Sequence, residues 1–490
     1  MTLKVYDTLR RKKEEFAPVH EGKVGIYFCG MTVQGKPHMG HMLAFVSGDI
    51  IKRYLRFKGY DVTYLQNFTD VDDKIIEKAN TEGVDFHVVA ERYIAEYFKY
   101  EKELNILPAD IYPKATEHID DIIALVQKLV DRDLAYQSGT DVYFRVRDCS
   151  FYGKLSGRKI DELQSGARIE VEEQKEDPLD FTLWKGAREG EPAWDSPWGR
   201  GRPGWHIECS AMSMKYLGDT IDMHGGGLDL IFPHHENEIA QSESATGNPY
   251  VKYWMHNGLL NLQGEKMSKS TGHFFSIEDI VKEFPGEIIR FYLLSTHFRS
   301  TTEFGRERLK EASAGFDRIR NLCIYLDEVS SRQHTSSSEE GPAGAGEETV
   351  TGESPLEKLA SQVRSDFLEA MDDDFNSGEA VGHIFRLVRE VNRLKAEDPA
   401  SIEDDRSGIA ALTALMEMFD EILGLFRDGL PSGDVEVPED IVKLVREREE
   451  ARKNKDWARA DEIRAMVAGA GYTIEDGPDG SKVKPADAGE

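Results

Sequence analysis

The chain of 490 residues carries 61 Lys and Arg against 90 Asp and Glu, a formal net charge of -29, with 40% hydrophobic residues. That length exceeds one ordinary core and predicts two to four domains, while the acidic balance argues against broad, sequence-independent nucleic-acid binding but leaves room for a local basic track. No apolar run approaches the roughly 20 residues of a membrane span, the first residues lack the apolar core of a secretory signal, and Cys29, Cys149, Cys209 and Cys323 are too scattered for a disulfide framework. A soluble cytoplasmic protein with no membrane partner is expected.

Apolar, β-prone Val24 to Phe28 predicts a strand, a helical pattern runs from about His41 to Lys58, and Asp61 to Leu65 predicts the next strand, together a β-loop-α-β unit. Amphipathic helices are expected at about Asp85 to Leu104 and Ala115 to Leu134, then a short strand from Asp141 to Val146. Ser150 to Gly204, with scattered Gly, Pro and Trp, reads as an irregular insertion between the halves of an open sheet. Asp219 to Met223 predicts a further strand, followed by Gly225-Gly226-Gly227 and a helix from about His234 to Ala245; Tyr253 to Leu262 predicts a hairpin or strand pair. From about Arg306 the pattern is mostly helical. Ser330 to Pro355, almost without large apolar residues, interrupts it as a flexible insertion. Helical periodicity resumes from Leu356 to Phe426, Pro431-Ser432-Gly433 marks a linker, and Pro438 to Gly471 is a charge-dense helical unit. Residues 479–490 read as a loose tail.

Three groups of residues carry chemistry. His38-Met39-Gly40-His41 follows a strand and opens a helix, where N–H groups and the positive dipole end favour phosphate and two imidazoles can donate to an oxyanion. Two surface histidines in a turn are the competing reading. Lys266-Met267-Ser268-Lys269-Ser270 lies in a polar loop, where two lysines three apart can close over a triphosphate and neutralise charge that grows as pyrophosphate leaves. A solvated basic loop is its competitor. His234 and Glu238, spaced i,i+4, share one helix face within reach of a single ion. Cys29 ends the first strand, where open α/β sheets place ligands, and Cys209 sits in Trp205-His206-Ile207-Glu208-Cys209-Ser210. Two thiolates, an imidazole and a carboxylate make a reasonable zinc shell that could also accept a substrate thiolate. Spacing alone does not join positions so far apart, and each residue has a structural reading of its own.

The HMGH and KMSKS pair resembles the signature of class I aminoacyl-tRNA synthetases. CGMTVQGKPHMGH, NFTDVDDKI, GRPGWHIECSAMS, DMHGGGLDLIFPHHENEIAQSE, KYWMHNGLL, EKMSKSTGHFFSIEDI and HFRS are all similar, in order, to the cysteinyl-tRNA synthetase family. The resemblance continues through Met371 to Asn376 and the helix bearing Arg389 and Asn392, and through Arg446 to Arg464. It implies an α/β fold, a Rossmann-type parallel sheet with a connective insertion, then an α-helical bundle and a small anticodon-binding module. The implied domains are 1–305 with an insertion at about 115–204, 306–430 with a flexible insertion at 330–355, 436–478, and the tail. The implied zinc ligands, one ion per chain, are Cys29, Cys209, His234 and Glu238. His38, His41, Lys266 and Lys269 would serve ATP and the transition state, with Mg2+ accompanying ATP. Gly30, Thr69, Trp205 and Asp229 would contact substrate, Gly30 by allowing its close approach. The implied reaction is ATP-dependent ligation of cysteine to cysteine tRNA through a cysteinyl-adenylate, by a monomer. A ligase that passes activated cysteine to an amino sugar, and a non-catalytic zinc-containing paralogue, are the rivals. Gln34, Gly35 and Leu43 depart from the family pattern beside the nucleotide site, and the C-terminal end lacks a tryptophan that often closes the last module.

Overall fold

The computed structural model describes residues 2–160, 174–262, 276–339, 353–433, 439–470, 472–477 and 480–485. The chain forms two compact units, residues 1–320 with 346–430, and residues 321–345 with 431–490. In chain order the first unit begins with β1 (Lys4–Asp7), β2 (Lys12–Glu15), β3 (Lys23–Thr32), α1 (Met39–Phe57) and β4 (Asp61–Thr69). There follow α2 (Asp73–Glu82), α3 (Phe86–Glu103), α4 (Ile119–Asp131) and four strands, β5 (Ala135–Ser138), β6 (Asp141–Phe144), β7 (Phe181–Gly186) and β8 (Gly201–Pro203). Next come α5 (Trp205–Leu217), β9 (Ile221–Gly227), α6 (Glu236–Thr246), β10 (Val251–Asn257) and β11 (Leu260–Leu262). Helices α7 (Ile277–Glu283) and α8 (Gly286–Leu294), strand β12 (Thr302–Phe304) and the long α9 (Arg306–Glu339) lead to α10 (Pro355–Asp372), α11 (Ser377–Glu397), α12 (Pro399–Asp404) and α13 (Arg406–Leu423).

The centre is a parallel sheet in the order β10-β9-β3-β4. Strands β3 and β4 carry buried apolar residues on both faces, as strands covered by helices on each side require. Val24, Ile26, Tyr27 and Phe28 of β3 are all buried, and so are Val62, Tyr64, Leu65 and Phe68 of β4. The β5 to β8 strands form a separate antiparallel sheet. Val142, Phe144, Leu183 and Trp184 from it share a core with Ile122, Val126 and Leu129 of α4.

Helix α1 is buried along nearly its whole length, and its polar positions are paired rather than solvated. Asp49 accepts from Arg53 Nε at 2.8 Å, Arg290 Nη2 at 2.6 Å and the Leu107 amide at 3.0 Å. Arg290, fully buried on α8, also donates to the Leu423 carbonyl at 2.7 Å, satisfying one of the open carbonyls at the end of α13. Lys52 Nζ donates to the carbonyls of Leu107 and Pro108.

The second unit is built on α14 (Glu439–Lys453), α15 (Trp457–Gly469) and a hairpin of β13 (Tyr472–Gly477) with β14 (Gly480–Pro485). Ile441, Val445, Ile463, Val467 and Ile474 form its core, with Tyr472 and Val483 packed against it. Apolar hairpin residues thus close the module without a tryptophan.

Several expectations are corrected. The segment from Ser150 to Gly204 is not wholly irregular, because β7 and β8 complete the antiparallel sheet; with lengths of 6 and 3 residues they give little periodicity to read. Tyr253 to Leu262 is not a hairpin: β10 joins β9 in the central sheet, whereas β11 pairs with β12. Residues 330–339 are the end of α9 rather than a flexible insertion, since Ser and Glu tolerate a helix already nucleated upstream; residues 340–352 lie outside the described part. The expected tail contains β14, whose Val483 pairs with Ile474. Helices α2, α5, α7 and α8 and the β1-β2 hairpin are further elements without an expected counterpart. Among the described residues no helix is long and apolar enough to cross a membrane.

Candidate active site and metal group

From β3 the chain crosses by α1 to β4 on one side and later returns to β9 on the other. The carboxyl ends of β3 and β9 therefore flank the crevice that such a reversal leaves, where open α/β sheets bind ligands. The strands are pressed close at this point: a Cβ on Gly225 would lie 2.2 Å from the Phe28 ring. The candidate residues outside the strands come from four segments, α1, α5, the helical turn Ile231–His235 and α6.

His38 is the N-cap of α1. Its amide donates to His41 Nδ1 and the His41 amide donates to His38 Nδ1, both at 3.3 Å, so the two side chains close a reciprocal cap. The rings stack with centroids 3.6 Å apart. Burial lowers the pKa of His38 against the pull of Asp229, and burial with the neighbouring His38 brings His41 down to about 3. Both rings are therefore neutral near pH 7. Because each Nδ1 accepts, the single proton of each ring sits on Nε2, which makes both Nε2 atoms donors.

Cys29, Cys209, His234 and Glu238 are all buried, with one ligand atom from each lying within 4.8 Å of all the others. His234 Nε2 is 3.0 Å from Glu238 Oε1, and Cys29 Sγ is 3.9 Å from the same oxygen. A second group, Cys29, His224, His235 and Glu238, meets the same distance limit and shares two members. The surroundings separate them. His234 turns its Nδ1 to His206 Nδ1 at 2.9 Å, which fixes the ring and leaves Nε2 facing the group. His224 Nε2 lies 2.8 Å from Glu238 Oε2, but its Nδ1 is buried without a partner. Ligation through His224 Nε2 would place a proton on that orphaned Nδ1 and leave it unmatched. The set with two thiols is also the softer and suits zinc better. His235 is held in a chain, its Nε2 3.3 Å from Cys29 Sγ and its Nδ1 2.8 Å from His256 Nε2, while His256 Nδ1 lies 2.8 Å from Thr8 Oγ1.

The charges are set by mutual contact. Hydrogen bonding from Cys29 brings Cys209 down to about 6 against its burial, while burial and the bond to Cys209 push Cys29 up. Burial alone would deprotonate His234, yet Glu238 and Cys209 hold it up at about 10. Burial likewise opposes ionisation of Glu238, and His224 and His234 outweigh it.

Trp205, 41% exposed, lays its ring against His234 with centroids 4.4 Å apart, and so forms an open wall beside the group. Thr69, at the end of β4, donates to Glu208 Oε2 at 2.9 Å. Asp229 follows β9, and its charge is felt by both Cys29 and His38. Gly30 is required by another part of the chain: a Cβ there would lie 1.7 Å from the Asn67 carbonyl oxygen. Lys266 and Lys269 lie outside the described residues. The chain resumes at Ser276, which bridges to His38, while Lys36 pairs with Glu278 at 2.5 Å. Leu43 is buried in the packed interior of α1, and Gln34 accepts from Lys78 Nζ at 3.4 Å through its carbonyl. His206, His224, His256, Tyr250 and Asn67 were not singled out from sequence, although His206, His224, His256 and Asn67 stand inside the quoted runs.

The sheet order, the crossover helix capped by paired histidines and the following helical bundle define a class I aminoacyl-tRNA synthetase fold. Methionyl-tRNA synthetase of Mycobacterium tuberculosis in complex with methionyl-adenylate superposes with a TM-score of 0.60 at 16% identity, covering 82% of this chain and 90% of that one. Family models match as tRNA synthetases class I (C) catalytic domain over residues 15–314, DALR domain over 366–427, and cysteinyl-tRNA ligase anticodon binding domain over 434–483. The cysteine–tRNA ligase of Pelotomaculum thermopropionicum is 48% identical, across 98% of this chain and 99% of its own. That of Geobacter sulfurreducens is 48% identical, across 99% and 100%. The chain belongs to the cysteine–tRNA ligase family.

Proposed function

We propose that this enzyme activates cysteine with ATP as cysteinyl-adenylate and transfers it to cysteine tRNA, acting as a cytoplasmic monomer, with one zinc ion held by Cys29, Cys209, His234 and Glu238. The observation that carries this reading is the convergence of two thiols, an imidazole and a carboxylate, all buried, in the same crevice as the reciprocal His38 and His41 cap. A zinc ion there would supply a Lewis acid that favours a thiolate over an alcohol, so cysteine is separated from serine by more than the ~1 to 3 kcal/mol that pocket shape alone provides.

The chain's own residues do the remaining work. Trp205 and Thr69 bound the amino-acid pocket, and Asp229 lies between it and the nucleotide. The Nε2–H groups of His38 and His41, at the positive end of α1, donate to phosphate oxygens as MgATP is attacked at its α-phosphate by the cysteine carboxylate. Lys266 and Lys269 neutralise the departing pyrophosphate. The terminal ribose hydroxyl of the tRNA then attacks the activated carbonyl, losing its proton and expelling AMP as the ester forms, with the anticodon held by the module at 439–485.

Aminoacylation assayed together with cysteine-dependent ATP–pyrophosphate exchange tests the proposal. Both activities are expected; exchange without charging of tRNA would point to a smaller acceptor, and the absence of both would overturn the proposal. Lys269→Ala is expected to slow single-turnover adenylate formation by about 100-fold, in line with the loss of one preorganised charge contact, with little change in cysteine binding. An unchanged rate would remove Lys269 from that role.

A further inference from the structure

Cys29 is aimed by an irregularity in the sheet. Strands β3 and β4 pair in register up to Phe28 with Gln66 and again from Met31 with Phe68. Between those pairs Cys29 and Gly30 stand opposite the single residue Asn67. This is a bulge between two parallel strands, a pairing in which bulges are rare, with β4 at the end of the sheet. Two contacts define it. The Asn67 carbonyl oxygen occupies the space where a Gly30 Cβ would be, and the Gly30 amide donates to Asn67 Oδ1 at 2.9 Å. Because an amide donor requires an oxygen acceptor, this bond also fixes which way the Asn67 side chain faces. Asn67 itself is buried, so bulk water does not compete for that amide, and a shortened side chain withdraws the acceptor from it.

We infer that Asn67 is a positioning residue for Cys29: its side-chain oxygen takes the amide that the displaced ladder leaves over, and so holds the bulge that aims Cys29 Sγ at Cys209, His234 and Glu238. The inference rests on the zinc reading above. A ligand whose main chain is one bond away from an unmet amide loses its aim first, and the loss of such a supporting contact commonly weakens a metal site by about 10 to 100-fold.

The test compares Asn67→Ala and Asn67→Ser, which lack an acceptor at that reach, with Asn67→Asp, which keeps Oδ1. Zinc affinity is read by competition with a chromophoric chelator, and the thiolate-to-metal absorption of the cobalt-loaded protein reports the number of bound sulfurs. Expected are a zinc affinity lowered about 10 to 100-fold for Asn67→Ala and Asn67→Ser, a cobalt band reduced to that of Cys29→Ser, and recovery of the two-sulfur band in Asn67→Asp. Should Asn67→Ala not fold, Asn67→Ser and Asn67→Asp carry the comparison. Wild-type affinity and band in either shortened variant would overturn the inference, as would an Asn67→Asp protein that folds yet binds as weakly as Asn67→Ser. A wild-type chain that binds neither metal would sink the zinc reading as well, and so tells the two failures apart.

Discussion

Cys209→Ser is expected to lose zinc and to reduce cysteine-dependent pyrophosphate exchange by at least about 100-fold, a loss of roughly 3 kcal/mol or more, as expected for one of four ligands in a site worth ~10 to 16 kcal/mol. Cys209 sits on the buried face of α5, and its thiol is the one ionised most readily, because the Cys29 thiol donates to it and His234 lies beside it as a cation. A serine hydroxyl fills nearly the same volume but stays protonated near neutral pH and is a poor partner for a soft site. The fold should persist, since no packing volume is lost, but with a melting temperature below that of the zinc-loaded wild type, because the stabilisation contributed by the bound metal is gone. Metal analysis on the purified variant and the exchange assay together decide the matter. Wild-type exchange in a zinc-free Cys209→Ser protein would refute the metal reading.

Asp49→Asn is expected to destabilise the first unit by about 3 kcal/mol, the lower end of what breaking a buried ion pair costs. The change keeps the shape but leaves Arg290, Arg53 and Lys52 without their common anion. The full range of ~3 to 5 kcal/mol is not expected, because carbonyls of Leu423, Leu104 and Asn105 go on accepting from Arg290. Acid titration gives an independent check. Burial alone would raise the Asp49 pKa, but Arg290, Arg53 and Lys52 bring it from 3.8 to about 2. A carboxyl held lower in the folded than in the unfolded chain contributes fully above about pH 4 and progressively less as the pH falls towards 2, by an amount on the order of 2.5 kcal/mol. Wild type and variant should therefore converge in denaturant melts over that window. A constant gap down to pH 2 would contradict the assignment.

The parts legible in sequence are those set by local pattern. The β-prone run at Val24 and the helical period after His41 mark the crossover unit because each element is long enough to repeat its own spacing. Strands β7 and β8 carry too few residues for that, and the end of α9 has the composition of a linker although it continues a helix. In the site, the spacing of His234 and Glu238 was readable from one turn of helix, whereas Cys29 and Cys209 met them only through family resemblance, since nothing local to any of the four encodes the others. The bulge at Gly30 is least visible of all. Its cause lies on the neighbouring strand, and a lone glycine in β3 gives no hint that it makes room for Asn67.

Helix α1 has 19 residues and so spans about 28 Å. Its first turn carries the paired histidines, while Asp49 and Arg53, further along, are bonded to α8 and to the end of α13. It works as a strut with both ends fixed. A fragment cut at residue 305, where the sequence would place a domain border, would keep every residue of the crevice yet strip Arg290 and Arg53 of carbonyls they donate to and free the far end of the strut. The catalytic half of this chain is therefore a poor module to excise, and efforts to minimise or transplant it should retain the helices through Leu423.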